Sequence, residues 1–258
     1  MLTPSQVDFY HTHGYLIVEE FLTSKEVRGY TDEAQTLINH CYEQGDIVAH
    51  WGCVVEPFGC GFFDSSEIPR NACTTREGFI ALRSTLSAPD VAVCTLNKFG
   101  RCARQLLAKD EAEKTYLLND QYIVKPPRED KAEFAWHQDI LYFSEAERKH
   151  SIVSIWTPLD DVDITNGTVL VDPFPDPTRP GIYDHDSAAG SSSRVFPAVM
   201  SAGSALFMDG RLRHCSTGNM STRFRTVYMP QFSLGQIRIT RGADTAFTAL
   251  AVPIDEQM

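Results

Sequence analysis

Two separated stretches of the sequence carry residue types that bind transition metals. His137 and Asp139 form the only H-x-D or H-x-E pattern in the chain, and His214 lies much further along. In an extended strand, residues i and i+2 point to the same face, so this imidazole and carboxylate can converge on one point. Two histidines and one carboxylate on one face form the facial triad of non-haem Fe(II) oxygenases. A packed core histidine beside an unrelated acid fits the same residues, so both interpretations stay open at this point.

An arginine close to His214 would suit a chelating diacid. Gly218-Asn219 is turn chemistry between two apolar runs, and a hairpin centred after Asn219 places Arg225 opposite His214, about 5 Å away at Cβ. A planar guanidinium there can bind the far carboxylate of a ligand whose other end binds the metal. Alternatively, Arg223 and Arg225 are solvent-facing strand charges, and a register slip of one residue would undo the pairing.

Helical patterns dominate the first part of the chain. Capping boxes at Thr3–Gln6 and Thr23–Glu26 predict two helix starts, and Tyr15–Val18 between them has the pattern of a short strand. From Thr75 to Lys114 the pattern stays mostly helical, with breaks predicted near 87–89 and around Gly100.

After residue 115 the sequence changes to short β-branched or aromatic runs separated by turn residues. Many short strands favour a sandwich or barrel over a parallel α/β sheet. The segment 172–203 is rich in Pro, Ser and Gly and predicts a functional loop, such as a lid or binding loop. Strands are predicted at Tyr116–Val124, Ile152–Pro158, Thr168–Val171, Ala205–Met208 and Phe224–Phe232.

We find no internal repeat and no second unit, so we predict one domain over residues 1–258. Residues 1–114 would provide mostly helical support, and residues 115–240 would form the β core. The length and the 43% hydrophobic content are enough for a sizeable core.

Charge and cysteine content exclude several classes of protein. With 34 acidic and 23 basic side chains the formal net charge is −11. Nucleic-acid binding needs clustered Lys and Arg, so we expect no nucleic-acid partner, and an anionic membrane surface is disfavoured in the same way.

The N-terminus lacks a signal-peptide pattern, and no apolar run approaches the ~18 residues of a membrane span. Seven cysteines without a C-x-x-C pair argue against a disulfide framework, so a cytoplasmic location is expected.

Several motifs in a fixed order make the chain resemble the phytanoyl-CoA dioxygenase-like (PhyH) family of Fe(II)/2-oxoglutarate oxygenases. The resemblance covers nearly the whole length. The motifs are the opening Leu2–Val18, Lys125-Pro-Pro, Trp136-His137-Gln-Asp139, Ile155-Trp156-Thr-Pro-Leu-Asp160-Asp, Asn166-Gly167-Thr168 and the block Gly203–Arg225.

This resemblance implies a mainly β fold with flanking α-helices, built on a double-stranded β-helix (jelly-roll, cupin-like) core. It implies Fe(II) as cofactor, with 2-oxoglutarate and O2 as cosubstrates. Carried over by position, Arg225 rather than Arg223 would hold the distal carboxylate of 2-oxoglutarate. The iron ligands would be His137, Asp139 and His214, and the residues at positions that often line the cosubstrate or substrate pocket are Thr168, Trp156 and Gln121. Trp156 could instead be a core residue.

The implied activity is oxidation of a small organic metabolite by hydroxylation, desaturation or a related C–H reaction, with release of succinate and CO2. The short interval between the two histidines resembles compact members of secondary metabolism. Alternatives are a non-catalytic jelly-roll binding protein, an acyl-CoA hydroxylase of the same family, and a cupin-like metal isomerase or an oxygenase without cosubstrate. The sequence leaves the substrate, the oxidised carbon and the oligomeric state open.

One departure from the family pattern lies beside the predicted site. The family commonly has a Pro-Gly-Ser-His-like turn after its Asn-Gly segment, whereas this chain has Val169-Leu-Val-Asp-Pro-Phe-Pro-Asp-Pro. We therefore expect a reshaped substrate loop, with Tyr142 and Phe143, or the aromatic pairs His50-Trp51 and Phe62-Phe63, as candidates for substrate contact. Other metal candidates are weaker, because the pair His11-x-His13 lies at a predicted helix end and the set His50, Cys53 and Cys60 lacks a fourth zinc ligand.

Overall fold

Both predicted capping boxes begin a helix in the computed structural model, which describes residues 1–45, 53–58, 62–64, 68–175, 193–241, 245–248 and 250–254. The Thr3 hydroxyl accepts the backbone N–H of Gln6, and the Gln6 side chain accepts the N–H of Thr3, so two helix-end donors are satisfied. Gly14 ends the first helix at φ 77°, a left-handed conformation that suits glycine. The α-helices are α1 Pro4–His13, α2 Ser24–Glu43, α3 Arg76–Leu86, α4 Pro89–Cys94 and α5 Gly100–Leu107.

The predicted helix break near Pro89 is confirmed, but the break around Gly100 is wrong. A π-helical turn over Thr95–Phe99 joins α4 to α5 without leaving the helix. The glycine has a packing role there, because a Cβ on Gly100 would lie 2.8 Å from Cδ1 of Ile254. Among the described residues, no helix has both the length and the apolar character to cross a membrane.

The predicted strands are confirmed, two of them with an interruption. The run 116–124 is split at Asp120-Gln121, and the run 224–232 is split at Met229-Pro230. The strands are β1 Tyr15–Val18, β2 Cys53–Val55, β3 Thr115–Asn119, β4 Tyr122–Lys125, β5 Phe134–His137, β6 Ile152–Pro158, β7 Val169–Asp172, β8 Phe196–Pro197, β9 Ala205–Asp209, β10 Arg213–Ser216, β11 Arg225–Tyr228, β12 Gln231–Leu234, β13 Arg238–Arg241, β14 Thr245–Thr248 and β15 Val252–Pro253. Much of the predicted loop at 172–203, together with His50-Trp51, lies outside the described residues.

Most strands form a main sheet and a minor sheet, and β13 and β14 pair as a separate two-stranded sheet; the described pairings are all antiparallel. In the main sheet, β6 pairs with β12 and β11 along one edge and with β9 along the other. The minor sheet has the order β5-β10-β7-β8. One buried cluster takes side chains from both sheets, among them Trp156 and Leu206 of the main sheet and Val169 and Val171 of the minor sheet. The two sheets therefore face each other across a shared interior, as in a jelly roll.

The helices cover the other face of the main sheet. Because side chains alternate along a strand, Val153 and Ile155 of β6 pack in a cluster with residues of α2 and α3, while Ser154 and Trp156 face the interior between the sheets. This arrangement agrees with the mainly β fold with flanking helices that the family resemblance implies. It also determines which polar side chains of the strands can reach the interior.

A buried ion network ties the helices to the main sheet. Arg83 of α3 binds the carboxylates of Glu33 on α2 and Asp120 at the end of β3, and all three side chains are inaccessible to solvent. Tyr122 and Tyr228 donate hydrogen bonds of 2.6 and 2.7 Å to Glu33 and Asp120. Burial raises the pKa of Asp120 to about 6 against the opposing effect of Arg83. One guanidinium therefore holds two carboxylates that have no access to water.

Replacing Arg83 with methionine is expected to lower the free energy of unfolding by about 3–5 kcal/mol, because it leaves buried carboxylates without a counter-charge. Urea unfolding followed by circular dichroism measures this change. Lys25→Ala serves as the control, since the ion pair of Lys25 with Asp90 is exposed and its loss should leave the unfolding midpoint where it was. Equal midpoints for Arg83→Met and the wild type would show that the network does not support the fold.

Candidate metal centre

His137 and His214 are direct cross-strand partners in the minor sheet, which pairs β5 with β10. Their ring centroids lie 4.2 Å apart. Gln138 remains extended at φ −127° and ψ 132°, so the alternation of the strand carries Asp139 to the same side as His137. Oδ1 of Asp139 lies 3.5 Å from Nε2 of His137 and 3.6 Å from Nε2 of His214. The structure thus brings together the three side chains that the sequence singled out.

The outer ring nitrogens determine which atoms the imidazoles present to the centre. Nδ1 of His137 lies 2.7 Å from the carbonyl oxygen of Ala135, and Nδ1 of His214 lies 3.0 Å from that of Leu212. A carbonyl oxygen only accepts, so each Nδ1 carries the proton and each Nε2 offers a lone pair. Backbone carbonyls orient metal-binding histidines in this way in many proteins.

The charges of the cluster also suit a cation. Burial alone would raise the pKa of Asp139, but His214, His137 and the hydroxyl of Ser154 outweigh it and lower that pKa well below its usual value. Burial lowers the pKa of His214 and so favours the neutral ring. Burial alone would lower the pKa of His137, but Asp139 outweighs it and raises that pKa. The cluster is therefore an ionised carboxylate beside two imidazoles, and a metal ion that binds there displaces any proton on their ligating nitrogens.

The donor set fits a divalent metal ion. One ligand atom from each of the three side chains lies within 4.8 Å of the others, and all three side chains are buried. Metal bonds to His and carboxylate donors are about 2.0–2.2 Å long, so donors that meet at right angles lie about 3 Å apart. Small side-chain shifts bring the observed 3.5–3.6 Å separations to that geometry. Two imidazoles and one carboxylate suit Fe(II) with open positions opposite.

The predicted hairpin between His214 and Arg225 is wrong. His214 on β10 pairs with His137 and Val171 in the minor sheet, whereas Arg225 on β11 pairs with Lys125 in the main sheet. Asn219 explains the path, because its side-chain amide donates to the carbonyls of Lys125 and Arg223 and holds the connection against the end of β4. The turn residues therefore carry the chain from one sheet to the other instead of folding it back on itself.

Arg225 nevertheless points into the interior, while Arg223 is exposed. Arg225 is 1% exposed, and its Nη1 donates to the carbonyl of Ile123 at 3.2 Å. Its Nε has no hydrogen-bond partner within the described part of the chain. Its guanidinium carbon lies 5.7 Å from the centroid of the Trp156 ring. Burial lowers the pKa of Arg225 to about 9. A buried cation with an unused donor suits an anionic ligand, because such a group is costly to leave unpaired.

Lys125 is a second buried basic side chain beside Arg225, and in the sequence it stood out only as the first residue of the Lys125-Pro-Pro motif, without a role. It is 1% exposed, and its Nζ donates to the hydroxyl of Ser216 at 2.7 Å and to the carbonyl of Thr217. Burial, and then the charge of Arg225, lower the pKa of Lys125 to about 6. The available signal was a lone lysine at the end of the apolar strand Tyr122–Lys125, on the same face as Ile123.

The depressed pKa of Lys125 predicts a stability difference that depends on pH. Between pH 6 and 10.5 the unfolded chain binds a proton at Lys125 that the folded chain does not, so folded-state stability rises with pH through this window. Lys125→Met removes this proton linkage. As pH falls from 10 to 6, the free energy of unfolding of Lys125→Met should rise relative to that of the wild type, by up to about 1.4 kcal/mol per pH unit.

Urea unfolding of both proteins across this range measures the difference. The other charged groups that act on Lys125 are Glu133, Cys215 and Arg225, and burial raises the pKa of the Cys215 thiol to about 11. A constant stability difference between the two proteins from pH 6 to 10 would show that Lys125 is charged in the folded state.

The three predicted pocket residues occupy different environments. Trp156 is buried in the inner cluster and packs on Arg225, which fits the alternative that it is a core residue. Gln121 is 5% exposed and its side-chain oxygen accepts from Asn119. The Thr168 hydroxyl donates to the carbonyl of Ala198 and so has no proton left for a ligand. The roles of these residues in cosubstrate binding remain predictions.

The two predicted substrate residues also lie in different environments, one exposed and one buried. Tyr142 is 61% exposed, and its ring centroid lies 5.5 Å from that of His137, at the rim of the cluster. Phe143 is enclosed in a core cluster with Ile140 and Ile152, and its role in substrate binding stays untested. His11 is exposed at the end of α1, away from any described group of metal ligands.

Comparison with known proteins supports the fold and the family resemblance. The family model of phytanoyl-CoA dioxygenase (PhyH) matches residues 10–227. A phytanoyl-CoA dioxygenase of Arabidopsis thaliana is 24% identical over 255 residues, covering 88% of this chain and 87% of that protein. The peroxisomal phytanoyl-CoA dioxygenase of Bos taurus is 23% identical, covering 90% of this chain and 69% of that protein.

Two solved structures show the same fold. The epimerase SnoN, in complex with Fe3+, alpha ketoglutarate and nogalamycin RO, has a TM-score of 0.64 at 17% identity and covers 97% of both chains. EctD from S. alaskensis, with 2-oxoglutarate and 5-hydroxyectoine, has a TM-score of 0.64 at 17% identity and covers 97% of this chain and 83% of its own. These similarities confirm the mainly β, jelly-roll architecture.

A buried His–Asp–His cluster in a jelly-roll interior is the arrangement found in non-haem Fe(II) oxygenases. The chain belongs to the phytanoyl-CoA dioxygenase (PhyH) family of Fe(II)/2-oxoglutarate-dependent oxygenases. The family resemblance found in the sequence is thereby confirmed, and with it the assignment as an oxidoreductase.

Proposed function

We propose that this protein binds Fe(II) through His137, Asp139 and His214 and uses 2-oxoglutarate and O2 to oxidise a small organic metabolite. The observation that carries the proposal is the convergence of the three donor atoms within 4.8 Å in the interior of the jelly roll. The cation expected of a keto-diacid site, Arg225, is buried in that same interior with an unused donor. A protein that only bound a neutral small molecule would have no use for both features.

Each side chain has a distinct task in this proposal. His137, Asp139 and His214 hold the metal from one side and leave the opposite positions for ligands. Arg225 neutralises the distal carboxylate of 2-oxoglutarate and orients its chelating end, while the ring of Trp156 keeps water from the guanidinium. The bound iron, with 2-oxoglutarate and O2, supplies an oxidative decarboxylation that yields succinate and CO2 and oxidises a substrate C–H bond.

We propose a small metabolite, of the kind found in secondary metabolism, as the substrate. SnoN comes from nogalamycin biosynthesis and was solved with nogalamycin RO, and EctD was solved with 5-hydroxyectoine. The second candidate is an acyl-CoA, which the names of the sequence relatives favour. A net charge of −11 makes this chain a poor receptor for the phosphates of coenzyme A.

Succinate release tests the proposal. The Fe(II)-loaded protein, 2-oxoglutarate and air are combined with each member of a panel of small metabolites and acyl-CoA thioesters, and His214→Ala serves as the inactive control. We expect succinate above the control level, stimulated most by a small metabolite. Stimulation by acyl-CoA thioesters alone would replace the proposed substrate class. Succinate no higher than in the His214→Ala control, for every compound, would favour a non-catalytic binding protein.

A further inference from the structure

The two oxygens of the Asp139 carboxylate have different surroundings. Oδ1 faces the two imidazoles, at 3.5 and 3.6 Å. Oδ2 accepts the hydroxyl of Ser154 and, at 3.1 Å, the amide Nε2 of Gln231. The same Nε2 lies 2.9 Å from the Ser154 hydroxyl oxygen, which leaves the serine proton to point at the carboxylate. Protein donors thus occupy one carboxylate oxygen and leave the other for the centre.

These groups belong to a polar row that crosses three neighbouring strands of the main sheet. Gln231 of β12 is the register partner of Ser154 on β6 and of Asn119 on β3. Nδ2 of Asn119 donates to the side-chain oxygen of Gln231 at 3.2 Å and to that of Gln121 at 2.9 Å. We refer to Ser154, Gln231, Asn119 and Gln121 as the amide row.

The groups at the two ends of the amide row determine which atom of each side-chain amide donates and which accepts. The ionised carboxylate of Asp139 only accepts, so Gln231 must turn its NH2 group to Asp139 and its oxygen to Asn119. Asn119 must then present its NH2 group, and its own oxygen accepts the backbone N–H of Asp120 at 2.8 Å. The backbone N–H of Asp120 requires this orientation of the Asn119 amide independently of Asp139. The Asp139 carboxylate and the Asp120 N–H therefore require the same orientation of the amides in the row.

The orientation decides what Gln121 can offer a ligand. Its side-chain oxygen is engaged by Asn119, and its NH2 group has no hydrogen-bond partner among the described residues. Gln121 lies on the same face of the chain as Ile123, a member of the inner cluster. Gln121 therefore presents a donor, and not an acceptor, to the interior, which suits a carboxylate or carbonyl oxygen.

We propose that Ser154, Gln231 and Asn119 are positioning residues that hold Asp139 to one metal-binding oxygen and turn the NH2 group of Gln121 toward the bound keto-acid. This inference rests on the proposed function. A carboxylate that bound through both oxygens would occupy a coordination position that a triad leaves open. Holding Oδ2 keeps that position available for ligands.

Metal affinity tests the first half of the proposal without any turnover. Mn(II) is titrated by calorimetry into wild type, Ser154→Ala and Gln231→Met.

Two controls are chosen on the same strands. Thr157→Val alters a buried hydroxyl of β6 that has no described hydrogen-bond partner, and Ser233→Ala alters a buried hydroxyl of β12 that donates to Gly235. We expect Mn(II) to bind about 10–100-fold more weakly to the two test variants and unchanged to the controls. Ser154→Thr, which keeps a hydroxyl, should recover most of the affinity.

The isosteric change Asn119→Asp tests the second half. Ionised aspartate cannot donate, so the amides of Gln231 and Gln121 lose their shared partner. Titration of the Mn(II)-loaded variant with 2-oxoglutarate should give a dissociation constant about tenfold higher, with a smaller loss of Mn(II) affinity than in Gln231→Met. Melting temperatures of the metal-free proteins identify any variant that has simply lost its fold, and a misfolded variant is replaced by Gln231→Leu or Asn119→Leu.

The possible failures can be told apart. Wild type that binds no Mn(II) would contradict the proposed function itself. Wild type that binds Mn(II), together with folded test variants that bind it equally well, would overturn the positioning role and leave the proposed function intact. Unchanged 2-oxoglutarate affinity in folded Asn119→Asp would overturn the orientation of Gln121.

Discussion

We expect Asp139→Ala to abolish succinate production while the protein remains folded. Asp139 supplies the only carboxylate of the cluster, and its Oδ1 lies within 3.6 Å of both imidazole donors. Without it, two neutral imidazoles remain and the site has no negative charge to balance a divalent ion. Succinate is measured in the presence of Fe(II), 2-oxoglutarate and the best substrate found, and circular dichroism confirms the fold.

Asp139→Glu separates the effect of the charge from that of its position, because it keeps the charge but lengthens the side chain by one methylene group. Its carboxylate can no longer meet both the imidazoles and the Ser154 hydroxyl, so we expect weak residual activity at most. Wild-type succinate production by folded Asp139→Ala would show that the ligand assignment is wrong.

We expect Arg225→Leu to raise the dissociation constant of 2-oxoglutarate about 30-fold or more and to leave Mn(II) binding nearly unchanged. Removing one partner of a buried, hydrogen-bonded charge pair costs about 2–5 kcal/mol, and every 1.4 kcal/mol is about tenfold in affinity. In the absence of ligand the same arginine has an unpaired Nε in the core, so its removal should not lower the melting temperature of the ligand-free protein. Calorimetry on the Mn(II)-loaded protein measures both binding constants.

Arg223→Leu is the matched control, because it makes the same change two residues away on an exposed side chain. Its 2-oxoglutarate affinity should equal that of the wild type. If Arg225→Leu bound 2-oxoglutarate as tightly as Arg223→Leu does, another side chain would have to bind the distal carboxylate, and Lys125, the strand partner of Arg225, would be the next candidate.

Two of the three donors of the candidate metal centre follow from the local sequence pattern, and the third, His214, came from the resemblance to the family. His137 and Asp139 are placed together by strand alternation, a property of the chain within three residues. The pairing of His214 with His137 is not local, and turn chemistry alone could not identify it. Gly218-Asn219 predicts a change of direction, but not whether the chain returns to its own sheet or crosses to the other.

The residues around the donors were harder to predict. Ser154 and Gln231 interrupt apolar strands, and such interruptions are visible in the sequence, but their partners come from strands far apart in the chain. Which face of a strand points inward depends on the helices that cover the other face. The buried state of Lys125 and the exposed position of the Tyr142 ring likewise depend on packing between elements, which no local pattern encodes.

The absorption spectrum of the anaerobic protein with Fe(II) and 2-oxoglutarate tests the central claim most directly. A weak visible charge-transfer band arises when the keto-acid chelates the iron, so it reports the metal centre and the cosubstrate in one measurement. We predict this band in the wild type, its loss in His214→Ala, and its appearance in Arg225→Leu only at much higher 2-oxoglutarate concentration. A wild type that binds both components but shows no band would contradict the assignment of this cluster as an Fe(II)/2-oxoglutarate centre.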